Sequence, residues 1–487
     1  MKIPSFKNGI RHLPLKYLPF ADAASVGLPM SRLLRLSLFQ VTVGMSAALM
    51  LGTLNRVMIV ELGVAAWLVA LMVAIPLLVA PFRAVTGFKS DTHRSAFGWR
   101  RVPFIWTGTM VQFLGLTFMP FALLLLTGQA QIPTPEWFNQ AIAGLSFLLV
   151  GIGLQTSQTA GLALATDLAD GTTRPRVVAL MYVMLLLGML GSSFAFSFML
   201  QEFTPMKLIQ VIQGHAVLTL VLNAVALWKQ EARDPVRAAA LRNTPVPTFK
   251  ASWNRFISHG KARRFLTMVA MGTAAFNMQD IVLEPYGGEI LKLSVSATSL
   301  LTALLAGGSL VAFAVASRKL SGGVDPCRLA AYGVLCGLPG FSAVIFAAPL
   351  SATWLFYTGV FCIGFGAGLF SISTLAAAMG MESKEFVGLA LGAWGAVQAT
   401  SAGLSIALGG VARDFVSSLA LQGSLGTTLA VPVTGYSVVY YTEICLLFAT
   451  LVALGPLVKR ASLPLTNQSL ANQPVKNERF GLADLPN

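Results

Sequence analysis

Charge is scarce in this chain. Asp, Glu, Lys and Arg make up 11% of 487 residues, 55% are hydrophobic, and mean hydropathy is +0.72. A soluble protein carries about 25% charged residues. So little polarity cannot cover a surface in water, which excludes an ordinary soluble globule and assigns the chain to the membrane class. Cysteine is also scarce: Cys327, Cys336, Cys362 and Cys445 form no C-x-x-C pair. That gives no support to a disulfide framework or a thiolate metal site and leaves them as small hydrophobes. A glycine-rich phosphate loop, a nucleophile elbow and a metal-ligand cluster are all missing, so neither an enzyme nor a nucleotide-binding protein is expected. Any pumping would have to draw on an ion gradient.

What the chain has instead is long apolar runs. About 20 apolar residues cross a bilayer core as a helix. Twelve such spans are predicted, near 34–59, 64–86, 102–127, 139–166, 177–200, 208–228, 264–284, 297–317, 328–349, 352–379, 386–412 and 435–458. The first 30 residues are polar, basic and proline-containing, which is not the pattern of a cleavable leader.

The net charge of +15 would suit a nucleic-acid partner, but its placement argues for topology instead. With the N-terminus inside, all but Arg56, Lys207, Lys292 and Arg413 of the 34 Lys and Arg fall in segments that this numbering of spans places in the cytoplasm. That bias predicts cytoplasmic termini and supports the span count. It also divides the chain into an interfacial segment 1–32, a six-span half 33–228, a central cytoplasmic loop 229–263, a second half 264–459 and a tail 460–487. Weak self-similarity accompanies the division, as in transporters built from repeats. At an offset of 228 residues, Gly44-Met-Ser-Ala-Ala resembles Gly272-Thr-Ala-Ala, Arg56 falls on Glu284, and Glu61 falls on Glu289.

The loop after span 2 carries Gly87, Asp91, Arg94, Gly98, Arg100 and Arg101. Here the chain resembles the major facilitator superfamily, whose signature in this loop is a glycine, an acid four residues later and basic residues around a second glycine. The segments Asn55-Arg56-Val-Met-Ile-Val-Glu61, Ser90-Asp-Thr-His-Arg-Ser, Gly98-Trp-Arg-Arg-Val-Pro103 and Gln279-Asp-Ile-Val-Leu-Glu-Pro-Tyr-Gly-Gly288 narrow the resemblance. They are similar to the bacteriochlorophyll delivery family, with its PucC and LhaA branches. The resemblance implies an all-α facilitator bundle of two pseudo-symmetric six-helix halves that supports assembly of bacterial light-harvesting antennae. It implies bacteriochlorophyll as cargo, and as partners the antenna α and β polypeptides, with pigment-synthesis enzymes or reaction-centre complexes and membrane lipid around them. It does not separate the two branches. From the residues alone, a proton-coupled secondary transporter of a small solute stays open.

Span 7 holds a polar stripe, Asn277, Asp280 and Glu284, spaced three and four apart on one face. Counted from Arg264 at 1.5 Å per residue, Asp280 lies roughly 24 Å across and Glu284 roughly 30 Å, and Arg56 reaches a similar level of span 1. Spans 1 and 7 face each other in the superfamily, so Arg56 is expected to pair with Asp280 or Glu284 and close the periplasmic side. Pro285, Gly287 and Gly288 follow as a candidate hinge. His215 stands inside an apolar run and is a candidate ligand for the magnesium of a pigment; a packing histidine is the alternative. Gln155, Gln158 and Gln398 are weaker candidates. Asp167 with Arg174 and Arg176 forms a candidate cytoplasmic charge relay. Glu443 is read near the start of span 12. Gly388, Gly392 and Gly403 are spaced for close helix packing.

Overall fold

The apolar runs become helices because lipid offers the backbone no partner, so each N–H and C=O must be satisfied within its own segment. The computed structural model describes residues 28–78, 101–128, 134–169, 173–231, 260–379 and 387–458, with Thr86, Ser90 and Trp99. These residues form helices α1 (Met30–Glu61), α2 (Ala66–Leu78), α3 (Val102–Leu126), α4 (Glu136–Leu168), α5 (Arg174–Met199), α6 (Pro205–Leu227), α7 (Ala262–Glu289), α8 (Val295–Ser321), α9 (Pro326–Ala347), α10 (Thr353–Met379), α11 (Val387–Leu421) and α12 (Val433–Leu454). Eleven of them are long and apolar enough to cross a membrane, and α2 is a shorter apolar helix among the described residues. The protein is a multi-pass membrane protein. Large side chains such as Phe198 and Val452 are 74% exposed on its outer face, where acyl chains replace water.

Helix pairing repeats with a shift of six. The pairs α1–α5, α3–α4, α3–α6, α2–α4 and α1–α6 recur as α7–α11, α9–α10, α9–α12, α8–α10 and α7–α12. Two further pairs, α2–α11 and α5–α8, join the halves and exchange under the same shift. A two-fold facilitator arrangement is built from such pairing.

Small residues let the seams close. A Cβ on Gly403 of α11 would stand 2.9 Å from Leu77 Cβ, and one on Gly410 would stand 2.4 Å from Ala70 Cβ. Gly403 thus packs α11 against α2 inside the bundle. Gly388 and Gly392 fall in α11 at positions whose surroundings lie outside the described residues. So do the segment 1–27, most of the central loop and the tail after Val458.

Two helices depart from regular geometry where the halves meet. Helix α1 is α-helical to Ala47 and π-helical over Ala48–Leu54 and Val57–Glu61. Helix α7 ends its first α segment at Asn277, passes through a 3-10 turn at Met278–Ile281, and resumes at Leu283–Glu289.

Candidate functional site

The irregular stretches of α1 and α7 lie against each other, and the sequence accounts for both. Pro285 has no N–H, so the carbonyl of Ile281 loses its i+4 donor. Asn55 of α1 supplies the replacement: its Nδ2 donates to Ile281 O at 3.1 Å and to Asp280 O at 2.8 Å. The break in α7 therefore lies at 278–282, one turn before the expected hinge residues. Gly287 and Gly288 sit within the resumed helix, and Gly288 makes room for Arg56, whose Nε would be 3.1 Å from an added Cβ.

Arg56 is 3% exposed, but its partner is neither Asp280 nor Glu284. Its Nη1 pairs with Glu61 on the same helix, and its Nη2 donates to Leu293 O at 3.2 Å, in the turn between α7 and α8. The expected pairing is corrected by the helix type. A π-helix closes its turn at i, i+5, so residues 56 and 61 come to lie one above the other. Glu284 is instead held by Thr302 of α8, whose hydroxyl donates at 2.6 Å. Gly52 of α1 fits over this contact, and a Cβ there would stand 2.5 Å from both oxygens. Asp280 Oδ1 accepts from Gln279 Nε2 at 2.9 Å.

A second cluster at the same end centres on Arg413. Its Nη2 donates to Glu289 Oε2 at 2.7 Å and to Tyr436 Oη at 2.8 Å, and its Nη1 donates to Asp414 Oδ1 at 2.6 Å. Tyr436 Oη donates to the same Glu289 oxygen at 2.7 Å, and the guanidinium lies 4.7 Å from the Tyr436 ring centre. Asp414 Oδ2 accepts from Trp67 N at 2.7 Å, capping the first turn of α2 from the opposite half. Both arginine clusters therefore tie one half to the other at a single end of the bundle.

At the opposite end, Arg101 Nε donates to Asp167 Oδ2 at 3.1 Å, and its Nη1 reaches Ser90. Glu231 caps α3 by accepting from Arg101 N at 3.0 Å and Val102 N at 2.9 Å. The structure thus joins Arg101 of the facilitator-type loop to Asp167 of the candidate relay. Gly87, Asp91, Arg94, Gly98 and Arg100 lie outside the described residues, as does the side chain of Arg174.

His215 lies within the N-terminal half. Its Nε2 is 2.9 Å from Ser46 Oγ, which also accepts from Gln112 Nε2 at 2.7 Å. One turn along, Thr42 Oγ1 donates to Asn223 Oδ1 at 3.0 Å, and Asn223 Nδ2 donates to Thr109 Oγ1 at 2.9 Å. This buried ladder staples α1, α3 and α6 together. At 3% exposure, with an edge on Phe196, His215 presents neither nitrogen to an open surface. These contacts are those of the packing alternative, with Nε2 on Ser46 and Nδ1 buried without a partner among the described residues. Gln398 and Gln158 bridge helices too, to Ser371 at 2.7 Å and toward Gln40 at 3.5 Å.

Glu443 is not near a helix start: α12 begins at Val433 and ends at Leu454, so Glu443 stands at its middle, fully buried. Arg413 carries no role in the sequence analysis, although it is one of the four cations outside the topological pattern, and that anomaly is the available signal.

Comparison with known proteins agrees with this architecture. The chain is 56% identical over 411 residues to the protein named PucC of Rhodovulum sulfidophilum, covering 84% of this chain and 90% of that one. It is 50% identical over 459 residues to PucC of Rhodobacter capsulatus, covering 94% and 98%. Among solved structures, a mutant of the nucleoside transporter NupG superposes with a TM-score of 0.65 at 14% identity, over 88% of this chain and all of that one. That likeness establishes the major facilitator fold alone. The profile of the PUCC protein family matches residues 53–462, and the chain belongs to that family.

Proposed function

We propose that this protein is an assembly factor for bacterial light-harvesting antennae, working in the cytoplasmic or intracytoplasmic photosynthetic membrane. It binds bacteriochlorophyll, or holds the antenna α and β polypeptides, until pigment and protein are joined. The observation that carries this reading is the family match over residues 53–462. The role is non-catalytic: a flat, apolar macrocycle with a long tail needs a protein-lined route, and facilitator folds bind their cargo between two halves. The Lys and Arg bias supports cytoplasmic termini, and on that reading the Arg56 and Arg413 clusters face the periplasm. In that orientation the two clusters close the periplasmic side, and the partners are antenna subunits, pigment-synthesis enzymes or reaction-centre complexes.

The test is purification from a pigment-producing host in mild detergent, with a near-infrared spectrum and identification of co-purifying proteins. Bacteriochlorophyll retained in stoichiometric amount supports delivery. Antenna polypeptides without pigment support a helix-holding chaperone. A colourless protein without partners overturns both. It would favour the second reading, a proton-coupled transporter of a small solute, to which the mid-helix position of Glu443 lends support.

A further inference from the structure

The C-terminal half contains a buried carboxyl that none of the contacts above uses. Glu443 is 0% exposed, and no side chain among the described residues hydrogen-bonds either of its oxygens; the polar group that approaches it is the backbone of Gln279. It stands beside the backbone of Gln279 and faces Asp280, at the 3-10 break of α7. Two neighbouring polar groups also have atoms without a partner among the described residues. Tyr440 lies one turn before Glu443 on α12, is 0% exposed, and its hydroxyl is unpaired. Gln279 is 2% exposed; its Nε2 is spent on Asp280, and its Oε1 is unpaired.

Among the described residues, the other surrounding groups offer no counter-ion. From α7, Glu284 turns to Thr302 of α8, and Tyr286 donates to Val344 O at 3.2 Å. From α11, Arg413 is committed to Glu289, Asp414 and Tyr436. From α9, Phe341 lies against Tyr440, with ring centres 6.4 Å apart. An ionised carboxylate in such a place costs several kcal/mol unless a cation joins it.

We propose that Glu443, with Asp280 and Gln279, forms a proton-binding site at the middle of the C-terminal half, and that the Glu443 carboxyl holds the proton while α7 and α12 are packed together. A proton turns one of its unpaired oxygens into a donor among acceptors. Separation of α7 from α12 at the 278–282 break would admit water. The O–H bond of the acid then breaks, the proton passes to water, and the carboxylate is left hydrated. Proton release is thereby tied to the state of the α7 break, whichever cargo the protein carries.

Infrared spectroscopy of the full chain in lipid nanodiscs tests this directly. At neutral pH the expected result is a carbonyl stretch of a protonated carboxylic acid that is lost in Glu443→Gln and kept in Glu202→Gln, an exposed control. Identical spectra for the wild type and Glu443→Gln would overturn the proposal. So would stabilisation by sodium over choline that vanishes in Glu443→Gln, which would make the ligand a metal cation. Should Glu443→Gln fail to fold, Tyr440→Phe keeps the carboxyl and is expected to shift the band. An unmoved band would assign it elsewhere and sink the idea.

Discussion

Glu61 and Glu289 stand 228 residues apart, at corresponding places in α1 and α7, and each holds an arginine. Glu61 takes Arg56 from its own helix, whereas Glu289 takes Arg413 from α11. The weak repeat therefore preserves the acid and its level in the bundle, while the cation arrives by a different route in each half.

Charge swaps separate the observed pairing from the alternatives. Arg56→Glu is expected to lower folded yield, because it puts a like charge beside Glu61 and costs about 3 kcal/mol, the lower end for buried pairs, since Glu61 keeps some access to solvent. Glu61→Arg in the same chain should restore part of it, while Asp280→Arg or Glu284→Arg should not. Fluorescence-detected size exclusion at matched expression reads the outcome. Rescue at Glu284 instead would refute the geometry.

Arg413→Ala leaves Glu289 and Asp414 without their shared cation and frees the cap on α2. A loss of about 3 kcal/mol is expected, at the lower end of the range for buried pairs because both acids keep some access to solvent. Arg413→Lys should recover less than half, since an ammonium cannot serve three acceptors with a planar fork. Thermal unfolding in detergent measures both variants.

Asn55→Ala strands the carbonyls of Asp280 and Ile281 at the α7 break. Leaving buried acceptors unpaired costs about 1–3 kcal/mol. Combining it with Pro285→Ala, which returns an N–H to Ile281 O, should cost less than Asn55→Ala alone. A double-mutant cycle on thermal stability would show coupling of that sign, and strict additivity would break the link between proline and asparagine.

His215→Leu tests the packing role. It removes the Ser46 contact, worth about 1 kcal/mol, and is expected to lower the melting temperature slightly. Antenna yield per molecule of folded protein should not change. A loss of bound pigment with full stability would support the ligand role instead.

Gly52→Ala would place a methyl against Glu284 and Thr302, and overpacking of this kind costs about 1–3 kcal/mol. Gly214→Ala has open space around its Cβ and should be neutral, making it the matched control.

The membrane class and the helices are legible in the residues alone. Apolar run length is a local property, and lipid forces every such run to be helical, so twelve spans were legible without a fold. The six-plus-six division was legible for the same kind of reason, because Lys and Arg placement is read along the chain. Pro285 announced a break in α7, although not that Asn55 would fill it.

Which groups meet depends on how the helices pack. The π-helical turn that stacks Arg56 on Glu61 depends on how α1 packs against α7 and α8, and no local residue pattern specifies it. Glu443 reads as interfacial because an apolar run does not show which of its residues face the bundle; α12 runs from Val433 to Leu454 and buries Glu443 at its middle. Arg413 ties α11 to α7 and α12 through Glu289 and Tyr436, and its neighbour Asp414 reaches Trp67 of α2, so the cluster comes together only when both halves have closed.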